Sequence, residues 1–236
     1  MRTLRTLVTT TTIAGLAAGA LAGGLLAGPA SAAPPALDKA RADCTAAIVA
    51  RFGELDRLTA EISKAKNLTS SHHASANDII TSSRTGLTTL KAKVAADADA
   101  ATLKADCESV RTDFRIYALR SPQIHEVIAA DAETAATTEL LTTATKLGSV
   151  LAGLPSSVDT TAAKAALDDM NAKLADAGTV LTGVADRIIA LTPANYNANP
   201  AVLDTDHTAL KTGRGDLRTA GADAKTVVRF LKGLKK

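Results

Sequence analysis

The residues of this chain whose types and spacing best suit chemistry lie between Arg111 and His125. The stretch Asp113-Phe114-Arg115-Ile116-Tyr117-Ala118-Leu119-Arg120-Ser121-Pro122-Gln123-Ile124-His125 carries two of the chain's few aromatic residues, a histidine and, counting Arg111, three arginines. Arg111, Phe114, Tyr117, Arg120 and His125 can together line a polar pocket at a helix bend. The same residues can also make a packed corner. Phe114 and Tyr117 then face the core and the arginines run their stems outward over it, which is the commoner fate of such stripes. If the chain carries a site, this corner is the first place to look.

Other chemically able residues offer less. His72 and His73 are adjacent near an expected helix start and face different directions. His207 follows Asp204 by three, so both share a helix face, but one D-x-x-H falls far short of a metal site. The repeated Glu-x-x-His pattern of di-iron bundles is absent. The sequence has no Gly-rich phosphate loop, no G-x-S-x-G elbow and no second Cys/His cluster. The reading is therefore of no catalytic residue, no metal and no cofactor. Arg214-Gly215-Asp216 matches an adhesion tripeptide. The heptad row Leu203, Leu210, Leu217, Ala224, Leu231 runs through it without a change of phase. In a continuous helix Arg214 and Asp216 point to opposite sides, whereas an adhesion signal needs an exposed loop.

The N-terminus sets the compartment. Arg2 and Arg5 are followed by an apolar run from about Ile13 to Ala27, then by Ala30-Ser31-Ala32. Basic, apolar, then A-x-A is the layout of a secretory signal peptide. Residues 1–32 are expected to be removed after Ala32, leaving 33–236 as a secreted domain with no stable membrane insertion. Arg2 and Arg5 are not adjacent, which argues against twin-arginine export. Leaving out Arg2 and Arg5 takes the 27 Lys and Arg to 25, against 24 Asp and Glu. That balance gives no basic field for nucleic acid. An exported chain with two cysteines has one possible pairing, Cys44 with Cys107, which would leave no thiol nucleophile.

The elements that must position these residues are helical. Alanine favours helix strongly, and seven-residue rows recur. Leu167, Leu174, Leu181 and Ile188 form one row; Met170, Ala177, Val184 and Leu191 form a second, offset by three. Together they make an a/d seam, and they predict one helix from Val158 to Leu191. Looser rows run through Ile48, Leu55 and Ile62; Ile80, Leu87 and Val94; Leu103, Val110 and Tyr117; Leu140, Leu147 and Leu154.

Breaks are expected at Asn67-Leu68-Thr69-Ser70, weakly at Asp97-Ala98-Asp99, and at Gly153 to Ser157. Ser121-Pro122 reads as a helix start, with Ser as cap and Pro first. Thr192 to Pro200, TPANYNANP, is expected to be the longest loop. The fold class is all-α: an elongated antiparallel bundle of five or six long helices with one disulfide, and possible sub-bundles at 36–120 and 122–236. Ala-Asp-Cys precedes a phenylalanine in both the first and third segments. A disulfide between near-parallel first and third helices would bring Phe52 and Phe114 together.

The signal peptide, the two cysteines, the segment DFRIYALRSPQIHEVI and the LTPANYN loop together resemble Ala-rich exported proteins of high-GC Gram-positive bacteria. That resemblance implies export and a helical fold and brings no catalytic residues. The expected function is a secreted, non-enzymatic helical bundle that binds a partner or belongs to the cell envelope. The alternative is an apolar-ligand or membrane-surface binder.

Overall fold

A computed structural model describes residues 34–234; the expected signal peptide lies outside the described residues. The heptad rows wind into α1 (Pro34–Lys64), α2 (Ser70–Ala96) and α3 (Ala100–Thr112). A single π-type turn (Ile116–Arg120) leads into α4 (Ser121–Ala152). Then come α5 (Thr161–Leu181), α6 (Val184–Ile189), α7 (Pro193–Ala198) and α8 (Asp204–Gly233). Five of these are long, and no strand occurs among the described residues. The chain is an all-α bundle carrying one disulfide, Cys44–Cys107.

α4 is the spine. Its 32 residues reach about 48 Å at 1.5 Å per residue. Ile124 joins a core of α1, α2 and α3 built on Ile48, Leu55, Leu87 and Leu103. Val127 joins a second core with Leu119, Ala177, Val184 and Ile188. Leu147 joins a third with Met170, Leu174, Ala220 and Val227. Each large aliphatic side chain so buried contributes roughly 1.5–3 kcal/mol. Both rows of the α5 seam face inward: Leu167, Leu174, Leu181, Ile188, Met170, Ala177 and Val184 are all buried.

Three expected boundaries move, and a fourth keeps its place without its expected cap. The helix expected from Val158 to Leu191 breaks at Thr182–Gly183. Gly183 has φ 68°, a left-handed conformation that glycine enters without a Cβ penalty. The apolar rows keep their phase across the break, so periodicity alone conceals it. The third segment, expected to reach Tyr117, stops at Thr112. Arg115 follows at φ 47°, left-handed despite its side chain. Ser121 does open α4, but its hydroxyl donates to Glu54 Oε1 at 2.7 Å rather than capping. The TPANYNANP loop contains α7, closed by a capping box between Thr192 and Asn195.

The α2–α3 join is a true break. Asp99 caps α3 by accepting from the Ala101 and Thr102 amides. α1 and α3 run near-parallel, since their partners advance together. Arg41 donates to the Asp97 carbonyl at 2.7 Å, Cys44 bonds Cys107, and the Tyr117 hydroxyl donates to the Ala50 carbonyl at 3.0 Å. Both expected partner rings meet α2. Phe114 covers Gly86, where a Cβ would lie 2.5 Å from its ring. Arg84 lies over Phe52, 5.9 Å from its centroid.

Candidate functional site

The corner singled out from sequence does not form one pocket. Phe114 packs on Gly86. Arg120 is half-buried and donates to Gln123 Oε1 at 2.8 Å and to the Leu191 carbonyl at 2.9 Å. His125 Nε2 lies 2.6 Å from Glu61 on the surface. Arg111 and Tyr117 alone of the five share a cavity, with Arg51 and Arg115. Most of the corner is a joint to the α6–α7 segment. Gln123 donates to the Ile188 and Leu191 carbonyls. Arg115 Nε donates to Asn197 Oδ1 at 2.6 Å, and Asn197 Nδ2 donates to the Thr112 carbonyl at 2.9 Å. That last bond satisfies an end carbonyl of α3.

His72 is buried and sits between two carboxylates. Its Nδ1 stands 2.9 Å from both oxygens of the buried Asp131, and its Nε2 stands 3.1 Å from Asp186. Asp131 also accepts from the Thr69 amide at 2.8 Å. A cavity of about 380 Å³ adjoins them, lined by Thr134, Thr138 and Thr182 among others. Burial alone would push the His72 pKa down. Hydrogen bonds and charge from Asp131 and then Asp186 outweigh it, so the pKa is raised. With both ring nitrogens facing carboxylates, the arrangement favours the imidazolium cation. A cation so held is a poor general base; the cluster ties α2 to α4 and α6.

A cavity of about 560 Å³ forms a groove between α1 and α3. It falls in the size range of small-molecule sites. Small residues make it: Ala36, Ala40 and Ala47 recur on one face of α1 opposite Ala100 on α3. Their short side chains leave space where leucines would fill it. The disulfide and Leu103 supply the apolar floor.

At one end stand Arg51 and Arg111. Arg111 pairs with Glu108. Arg51 has no carboxylate at ion-pair distance among the described residues. It donates to the Ala47 carbonyl at 2.7 Å and lies over the Tyr117 ring, 5.4 Å from its centroid. Its Nε is buried without a partner. Burial lowers its pKa below the ordinary arginine value; Tyr117 pulls upward and the Arg111 charge pulls down.

Arg51, Asp131 and Asp186 carry no motif in the sequence, and His72 stands out there only for being next to His73. His72 and its partners are 59 and 114 positions apart, and no spacing rule links them. The groove did leave a trace: alanines at helical spacing, ending in a cation. No helix among the described residues is long and apolar enough to cross a membrane. No known family model matches the chain, and neither does any curated protein or solved structure.

Proposed function

We propose that the chain is an exported, non-catalytic helical-bundle protein that acts by binding. One observation carries this reading: the groove between α1 and α3. It offers volume, an apolar floor and a cationic end. Its contacts are of the kind that hold a ligand, with apolar surface for affinity and a few polar groups for orientation. The histidine most enclosed by the fold is committed to two carboxylates, which favours a structural role for it. The signal-peptide layout of residues 1–32 supports export, and a disulfide suits an oxidising compartment.

Native mass spectrometry of the protein recovered from its producing cells and their medium tests both parts. The expected result is a chain starting at Ala33, with Cys44 and Cys107 oxidised and a reproducible bound passenger. A chain bare in every preparation, together with turnover in a broad hydrolase screen, would overturn the binding reading. A chain retaining residues 1–32 and found only inside the cells would overturn the export reading.

A further inference from the structure

We infer that the groove between α1 and α3 takes a single-chain carboxylate amphiphile, its carboxylate at Arg51 and its hydrocarbon chain along the alanine-lined floor. This rests on the binding reading above and names its ligand class.

Three observations select this occupant. The first is shape. From Leu37 to Arg51 the α1 wall runs about 21 Å at 1.5 Å per residue, a trough suited to one extended chain. The second is the floor. Ala40, Cys44, Ala47 and Leu103 present apolar surface there, while Asp43, Lys104 and Glu108 also line the groove.

The third is charge. Of the groove's acidic residues, Asp43 is paired with Lys39 at 2.8 Å and Glu108 with Arg111. Arg51 is left with a half-buried charge, no counter-ion among the described residues and an unpartnered Nε. An unpaired, partly buried charge is costly. A carboxylate completes it with charge-assisted hydrogen bonds. A neutral or cationic head does not. Arg111, two-thirds exposed (65%), stands beside it and can exchange Glu108 for the same ligand.

Equilibrium dialysis of the purified protein with dodecanoate, decanoate and dodecanol tests this. Dodecanoate should bind at least tenfold more tightly than dodecanol, since a hydrogen bond to a charged group supplies that much. Lengthening decanoate by two methylenes should tighten binding about tenfold. Arg51→Gln should remove most of the preference for dodecanoate and leave dodecanol unchanged. Arg111→Gln, at an exposed position, should weaken dodecanoate several-fold without disturbing the fold. If Arg51→Gln does not fold, carbon-13 NMR of carboxyl-labelled dodecanoate on the unaltered protein reads the same contact. The bound carboxylate should titrate below its free value.

Equal binding of dodecanoate and dodecanol would overturn the inference and leave the binding reading standing. So would a dodecanoate preference undiminished by Arg51→Gln. Failure of all three probes would remove the observation that carries both. A dimer that admits dodecanol only on dilution would assign the groove to a second copy of the chain and overturn the inference.

Discussion

Leu181 of α5 rests directly on the backbone of Gly213 in α8: a Cβ on Gly213 would lie 2.9 Å from both Cγ and Cδ2 of Leu181. The branch carbon of leucine cannot swing away, so the helices close only over a bare Cα. Gly221, in the same helix, has nothing within 4 Å of such a Cβ. Ala gains about 1 kcal/mol over Gly in a helix interior, while overpacking costs about 1–3 kcal/mol. Gly221→Ala should therefore stabilise the protein by about 1 kcal/mol and Gly213→Ala should destabilise it. Chemical denaturation of the two variants checks this; two shifts of the same sign would contradict the packing.

The His72 cluster predicts a pH dependence. Its folded-state pKa is raised above the ordinary 6.5, because Asp131 and Asp186 together outweigh its burial. The stability from this charge is fully present below pH 6.5 and is lost as pH rises through the folded value. His72→Gln should cost about 3 kcal/mol in mild acid, since it leaves Asp131 buried without its cation. The cost should shrink at alkaline pH. Melting curves from pH 5 to 9 read both, and a pH-independent difference would show that the ring acts through packing alone.

Reduction of Cys44–Cys107 should lower the melting temperature. The bond spans 63 residues, and closing such a loop is worth about 4 kcal/mol in the chain-entropy model. For a domain of this size that is a shift on the order of 10 °C. Calorimetry with and without reductant measures it. An unchanged transition would mean that the core of α1, α2 and α3 holds without the bond.

The Arg-Gly-Asp tripeptide is held inside α8. Arg214 pairs with Glu133 at 2.8 Å and Asp216 with Lys173 at 3.3 Å. Surfaces coated with the protein should support no more cell attachment than surfaces coated with Asp216→Glu. Attachment lost on that substitution would require α8 to open locally.

What the sequence made legible was whatever repeats. The rows of α5 and the course of α8 through Gly213 follow from burial at helical spacing, and the Cys44–Cys107 bond from there being two cysteines and one pairing. The break at Gly183 was hidden because Val184 and Ile188 keep the rows in phase. α7 was hidden because prolines and asparagines read as loop, although Thr192 and Asn195 also make a cap. The groove and the His72 cluster depend on which helices become neighbours. Arg51 meets Arg111, and His72 meets Asp131 and Asp186, only after the bundle has closed.

The disulfide also decides how the chain would carry a load. Pulled from its ends, tension entering along α1 reaches Cys44 and crosses to Cys107 through a covalent bond. All of α2 and most of α3 lie off that path. The 63-residue span corresponds to roughly 220 Å of extended chain that force cannot pay out while the bond is intact. With the bond reduced, that length becomes available once the packing of the first core gives way, so the intact bond works as a mechanical shunt around that core.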